Sequence, residues 1–439
     1  MPSSVGHDPA FPNPGRQPIH RRLNAHSNAT SCIVCQIGAR EHYAVARTLH
    51  QAGQLGALMT DCWTPANSVR HRIPGARRLK DRHHPDLGDA PIADFSAVML
   101  ACEGWWRVQR RTGWPLMLAR NAVFQNLVVR ELDRRFLNDN QPRSLFAYSY
   151  AALEPIRWAK QRGWRTVLGQ IDPGPEEERI VKAANERCLG LGSRWTPAPA
   201  HYWDAWREEV AAADTIVVNS AWSRDCLLRE GVAAEKIRLI PLAFDPDPSD
   251  PAPAMVEPRS PHREPLECLF LGQIIPRKGV ATLLEAMDLL RDAPVRLTLA
   301  GPSDFPPSAW RNLPNVRWIG PVPRSMVGVR LSEAHVFVLP TLSDGFAITQ
   351  LEAMARGLPV ISTPRCGDVV RNGVDGWIVP VEDPAALAAA MVRLAENREL
   401  VTRASAQARL RARDFSLARL SPEWLEVCSA EPRDTTTPP

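Results

Sequence analysis

Apolar and polar positions along the 439-residue chain switch repeatedly between two periods. Short apolar runs end on glycine or proline, and segments with apolar residues three and four apart follow them. The first run, Cys32 to Ile37, stops at Gly38. Arg40 to Gln51 then places Tyr43, Ala44, Ala46 and Leu49 at helical spacing, and Gly56 to Thr60 is a second run. Strand, glycine turn, helix, strand is a right-handed βαβ unit and predicts a parallel sheet. Strands are predicted again at Leu145–Tyr148, Thr166–Ile171 and Thr215–Val218, with a helix between the first two and another starting near Ser220.

The alternation breaks at 245–265, a stretch dense in Pro and Asp that no regular element accommodates. It then restarts. Strands are predicted at Leu266–Leu271, Val295–Ala300, Val316–Gly320, Val336–Leu339 and Val360–Ser362, and helices near Val280–Arg291, Ile348–Arg356, Pro384–Glu396 and Ser405–Arg413. The expected organisation is a disordered tail over 1–30, a Rossmann-like domain over 31–245, a Pro-rich linker over 246–265 and a second Rossmann-like domain over 266–410. A C-terminal helix over 411–430, returning to the first domain, and a polar tail over 431–439 complete it. The fold class is α/β, two doubly wound domains.

Composition narrows the class. Hydrophobic residues are 44% and charged residues 23%, an ordinary globular balance that excludes a wholly disordered, collagenous or coiled-coil chain. No apolar stretch approaches the roughly 20 residues of a membrane-spanning helix, and the first thirty residues lack the apolar core of a signal peptide. Nine scattered cysteines do not form a secreted disulfide framework, so a cytoplasmic location is expected. Cys32 and Cys35 lie in one apolar strand with side chains on opposite faces, which favours core over zinc. Charge is uneven: the first 190 residues carry 26 Lys and Arg against 17 Asp and Glu, and the remainder 27 against 31. A basic front half suits an anionic partner or a merely solvated surface. The arginines of 70–82 lack the aromatic interleaving of nucleic-acid binders, and Gly104-Trp105-Trp106-Arg107 with Arg110-Arg111 adds interfacial aromatics beside cations. They point instead to peripheral contact with an anionic membrane.

In open α/β sheets ligands bind at the carboxyl ends of strands, beside glycine turns and helix starts. Two such places carry chemistry. In Gly272-Gln273-Ile274-Ile275-Pro276-Arg277-Lys278-Gly279 a strand ends on glycine and two adjacent cations precede a helix. Together they suit a diphosphate, unless they are only a solvated basic turn. From Pro340 to Met354 a loop carries Asp344-Gly345-Phe346-Ala347, and the helix after it carries Glu352. Its initial N–H groups and the two carboxylates suit phosphate oxygens and polyol hydroxyls, and a helix cap plus a surface acid is the plainer alternative.

This second segment, followed by Arg356-Gly357-Leu358-Pro359-Val360-Ile361, resembles the acid-x7-acid signature of the retaining glycosyltransferases of family 4. Arg277-Lys278-Gly279 resembles that family's basic diphosphate loop, and Ala213–Ser220, Gly231-Val232, Ile240-Pro241, Gly301, Gly320, Asn372-Gly373 and Gly376-Trp377 match in order. The match is close over about 205–400 and loose over 30–200. It implies a GT-B fold and a hexosyl transfer from a nucleotide-sugar to a glycan, lipid-linked or small-molecule acceptor, with no cofactor and no metal. It implies roles too: Arg277 and Lys278 on the diphosphate, Glu352 on the ribose, Asp344 with Gly345, Phe346 and Ala347 on the sugar, and Gly320–Val322 beside the base. Gly272 and Gly38 would let backbone approach the donor. Asp172, in Gln170–Glu178, and Glu176 are candidate cleft acids.

The chain departs from that pattern where Asp344 replaces the usual Glu and where Ala347 replaces a glycine. The first-domain loop keeps one glycine, Gly38, and Tyr148-Ser149-Tyr150 stands where a His-bearing segment is usual. The altered Asp344 and the missing first-domain His keep open a non-catalytic sugar-nucleotide or glycan-binding subunit, and a GT-B epimerase is a further reading. A phosphorylase would need a cofactor lysine, and lysines are few.

Overall fold

The computed structural model describes residues 31–65, 68, 79, 82–138, 141–188, 195–246 and 264–429. The expected terminal tails, most of the linker and most of the 70–82 basic loop lie outside these residues. Among the described residues the chain forms two wholly parallel sheets, one of seven strands and one of six. The first contains β1 (Cys32–Gln36), β2 (Leu55–Thr60), β3 (Ile92–Asp94), β4 (Ser144–Tyr148), β5 (Arg165–Gly169), β6 (Thr215–Val218) and β7 (Ile237–Leu239), in the order β3-β2-β1-β4-β5-β6-β7. The second contains β8 (Leu266–Leu271), β9 (Val295–Ala300), β10 (Val316–Trp318), β11 (Val336–Leu339), β12 (Val360–Ser362) and β13 (Gly376–Ile378), in the order β10-β9-β8-β11-β12-β13.

Both orders reverse direction once, between β1 and β4 and between β8 and β11. At such a switch point adjacent crossovers leave toward opposite sides and open a crevice at the strand ends. Gly38 follows β1, Tyr150 follows β4, the Gly272–Gly279 turn follows β8, and the Asp344 loop follows β11. The segments singled out in the sequence therefore converge on the two crevices.

The helices are α1 (Ala44–Gln51), α2 (Ser96–Val108), α3 (Gly113–Phe136), α4 (Leu153–Lys160), α5 (Pro175–Arg187), α6 (Ala200–Ala212) and α7 (Ala221–Arg229), then α8 (Val280–Leu289), α9 (Arg324–Ser332), α10 (Ile348–Ala355), α11 (Pro384–Glu396), α12 (Arg398–Arg413) and α13 (Leu417–Cys428). They cover both faces of each sheet, which is why the strands read as unbroken apolar runs. Alternate residues of β1 serve different cores: Ile33 and Cys35 pack with Phe124, Leu145 and Trp206, whereas Cys32 and Val34 pack with Leu49, Phe146 and Trp424. Trp424 belongs to α13, which lies on α1 and against β4 of the first sheet, its ring edge-on to Phe146 at 5.6 Å. The crossing back is pinned where Phe244 N–H donates to Phe415 O at 2.8 Å and Leu417 N–H to Asp245 Oδ1 at 3.2 Å.

Four expected elements are corrected, the first being the strand expected to reach Gly320, which ends at Trp318. The helix expected from Arg40 begins at Ala44, because Glu41, His42 and Tyr43 all take positive φ (48°, 49° and 61°) and turn the chain left-handedly. The strand expected to reach Ile171 ends at Gly169, beyond which Gln170 and Ile171 form loop. The helix expected from Ser405 begins at Arg398, immediately after α11.

Candidate functional site

The β8 turn and the β11 loop are built to touch. After Ile275 one turn of 3-10 helix (Pro276–Lys278) closes on Gly279, whose φ of +70° starts α8. The turn and loop are then tied at three points. Leu342 N–H donates to Arg277 O at 2.9 Å, Thr341 Oγ1 donates to the same carbonyl at 3.1 Å, and Arg277 Nη1 donates to Ser343 O at 2.9 Å. This brings both cations onto Asp344: Lys278 Nζ bonds its Oδ2, and Arg277 Nη1 lies 3.3 Å from its Oδ1. Burial opposes ionisation of Asp344, but the Lys278 ammonium and the Arg277 guanidinium outweigh it and hold the carboxyl below its usual value.

The first half of the chain completes the site with an acid that the sequence did not single out. Glu177, in the first turn of α5, accepts from Ser343 Oγ at 3.0 Å and stands 3.6 Å from Arg277 Nη1. Burial pushes the Glu177 carboxyl upward although Arg277 pulls the other way. Glu176, the expected cleft acid, instead pairs with Arg179 on the outer side of α5. Helix rotation of about 100° per residue separates the two, and Pro175 at the first helical position was the signal that sets the phase. Asp172 does lie in the cleft: it accepts the Tyr150 hydroxyl and the Gly174 N–H (2.8 Å), and burial raises its carboxyl against those bonds.

Other expected site residues take distinct places. Gly345 is buried against the first half, where an added Cβ would stand 2.8 Å from Ile171 O. Phe346 packs on Phe415 at 5.9 Å, and Ala347 precedes α10 without a side-chain cap, leaving helix-start N–H groups toward the loop. Glu352 lies half-buried on α10, Val322 half-buried before α9, and Gly272 at the end of β8 with its N–H on Ala300 O at 2.9 Å. Gly38 N–H is engaged by Asp61 Oδ1 at 2.8 Å, and Arg82 also holds that carboxylate. Trp222, likewise missed, donates from Nε1 to Ser343 Oγ at 3.0 Å across the cleft, and Arg365 stacks on its ring at 4.6 Å. The segment Tyr148-Ser149-Tyr150 sets a tyrosine hydroxyl beside Asp172.

Glu209 of α6 fixes that segment. It is 2% exposed, and its two oxygens accept the N–H groups of Tyr150, Ala152 and Leu153 at 2.7, 2.9 and 3.1 Å. Burial nevertheless lifts its carboxyl from 4.5 to about 7. The folded form therefore binds more protons than the unfolded chain between pH 4.5 and 7, and this group's contribution to stability falls as pH rises through that window, by about 3 kcal/mol in total. Glu209→Gln should melt lower than the parent at pH 5 and show a flatter dependence of Tm on pH between 5 and 8. Parallel Tm–pH curves for the two proteins would refute this assignment.

With this geometry in view, the two crevices and their shared cleft define a GT-B architecture. Its solved relatives include sucrose-phosphate synthase from Thermosynechococcus elongatus, similar over 91% of this chain and 98% of that one with a TM-score of 0.63 at 19% identity. Residues 265–397 match the family Glycosyl transferases group 1. The chain is 30% identical over 396 residues to the D-inositol 3-phosphate glycosyltransferase of Streptomyces griseus subsp. griseus, covering 76% of this chain and 83% of that protein. It is 27% identical over 187 residues to the amylovoran biosynthesis glycosyltransferase AmsK of Erwinia amylovora, spanning 45% of its length. The chain belongs to the group 1 glycosyltransferases.

Proposed function

We propose that the chain moves a hexosyl group from a nucleotide-sugar to an acceptor hydroxyl with retention of anomeric configuration. The observation that carries this reading is the apposition of the Arg277–Lys278 turn and the Asp344 loop at the β8/β11 switch point. An arriving diphosphate takes over Arg277 and Lys278 from Asp344, and the freed carboxylate, with the backbone of Gly345 to Ala347, receives the sugar hydroxyls. Glu352 takes the ribose and the Gly320–Val322 segment borders the base; Gly272 and Gly38 admit the donor's approach. The bond from anomeric carbon to diphosphate oxygen breaks, the acceptor oxygen bonds to that carbon on the same face, and its proton passes to the departing diphosphate. Asp172 orients the acceptor from the opposite wall. Two side-chain cations and the helix start carry the leaving-group charge, so this mechanism calls for no metal and no cofactor.

A panel of nucleotide-sugars tested by thermal shift should contain one that raises Tm, since saturation at 100 times Kd adds about 2.7 kcal/mol. The same compound should release nucleoside diphosphate slowly without acceptor. Absence of any shift defeats the reading. A shift without release, with or without added acceptors, would make the chain a binding subunit, and interconversion of the donor without acceptor would make it an epimerase.

The nine cysteines are unpaired thiols, which suits a reducing cytoplasm. No helix among the described residues is long and apolar enough to cross a membrane. We place the protein peripherally on an anionic bilayer through α2. That helix exposes Val98 (45%), Trp105 (61%) and Val108 (74%), and Arg107, Arg110 and Arg111 are exposed at its end. Trp105→Ala with Arg110→Glu should abolish flotation with phosphatidylglycerol vesicles; equal flotation of variant and parent rules out this face.

A further inference from the structure

Between the two halves lies a cavity of about 240 Å³ lined by aromatic and acidic side chains. Trp114 and Tyr202 meet edge to face at 4.8 Å, and Tyr202 and Trp203 at 5.0 Å. Tyr150 stacks behind Tyr202 at 4.9 Å and an interplanar angle of 17°. The indole N–H groups are already used within the protein, Trp114 Nε1 on Thr196 O at 3.0 Å and Trp203 Nε1 on Glu178. Ring surface, rather than indole N–H, is thus what these residues offer the cavity. Asp172, Glu177 and Glu178 supply carboxylates, Asp304 stands exposed at its edge, and Arg277 closes the end next to the donor cations.

We infer that this cavity is the acceptor subsite and that it takes an uncharged sugar ring, not a phosphorylated one. The inference rests on the donor reading above, which places the reacting carbon at the Arg277 end. The axial C–H face of a sugar packs on an aromatic surface, and its hydroxyls donate to carboxylates at the rim. The volume lies below the roughly 300–1,000 Å³ of drug-sized sites, so one ring fills it. A phosphomonoester would bring its charge beside Glu178 and Asp304 and against the buried Asp172 and Glu177 carboxyls, with only one guanidinium, which the donor itself requires, to receive it.

Tryptophan fluorescence reads the site directly. The parent protein is titrated with methyl α-D-mannoside, methyl β-D-glucoside, methyl β-D-galactoside and N-acetylglucosamine, and with mannose 6-phosphate and glucose 6-phosphate. At least one neutral sugar should quench, and both phosphates should bind at least about tenfold more weakly. Trp114→Ala should weaken the quenching sugar about tenfold while leaving the nucleotide-sugar thermal shift unchanged. Asp304→Lys, at an exposed position, should raise affinity for the sugar phosphates and serves if Trp114→Ala folds poorly. Tighter binding of the phosphates, absence of quenching by every neutral sugar, or a Trp114→Ala variant with parent-like sugar affinity overturns the inference. Loss of the thermal shift in the parent itself would fail the donor reading instead, so the two failures are distinguishable.

Discussion

Lys278→Met should lower donor kcat/KM by about 10²–10³-fold, and the Arg277→Met/Lys278→Met double variant by about 10³-fold or more. The magnitude follows from where the two cations sit. Each is held at low exposure in the turn, Arg277 by Ser343 O, Asp344 and Glu177, and Lys278 by Asp344, so both are already positioned when diphosphate displaces Asp344 as their partner. The effects are not additive, because both act on one leaving group. Arg277 and Lys278 together balance Asp344, which would otherwise stand buried with no cation, at a cost of about 3–5 kcal/mol. The double variant should therefore melt well below the parent, whereas Lys278→Met, which leaves Arg277 on Asp344, should melt close to it. Arg277→Lys separates charge from shape: it keeps the cation and loses the planar fork, and should recover part of the rate. The assay is steady-state release of nucleoside diphosphate with melting measured in parallel. Parent-like turnover of a folded double variant would remove the ground for assigning the diphosphate to this turn.

Much of the fold was legible because both sheets are buried on two faces. The limits of β8, β9, β11, β12 and α11 coincide with apolar runs cut by glycine, proline or a charged residue. β3 escaped because it is a three-residue edge strand after Pro91, and β13 because Gly376-Trp377-Ile378 carries too few apolar positions to show a period. Residues 41–43 show how spacing misleads: Tyr43, Ala46 and Leu49 follow one another at three-residue steps, yet the backbone before Ala44 is left-handed. The site was legible only in parts. Lys278 and Asp344 are 66 residues apart, and it is the adjacency of β8 and β11 that joins them. The aromatic wall draws Trp114, Tyr150 and Tyr202 from three separate segments, and no local pattern announces such a meeting.

Gly279→Ala should disrupt the same site without touching a charge. The Cβ it adds would stand 1.8 Å from Pro340 O and 2.7 Å from Pro340 C, and both belong to backbone that leads directly into the Asp344 loop. The φ of +70° adds the left-handed penalty of about 1–2 kcal/mol. Relief requires the β8 turn and the β11 loop to part, which stretches the Leu342 N–H bond to Arg277 O and draws both cations away from Asp344. We expect a loss of about 3 kcal/mol or more in stability and a fall in donor turnover larger than the melting change explains. Gly373→Ala supplies the comparison. Its φ is +75° but nothing lies within 4 Å of the added carbon, so it should cost only about 1–2 kcal/mol and leave turnover intact. Equal destabilisation by the two substitutions, measured by urea unfolding, would show that backbone strain alone is at work and that the turn and the loop are not held in contact through Gly279.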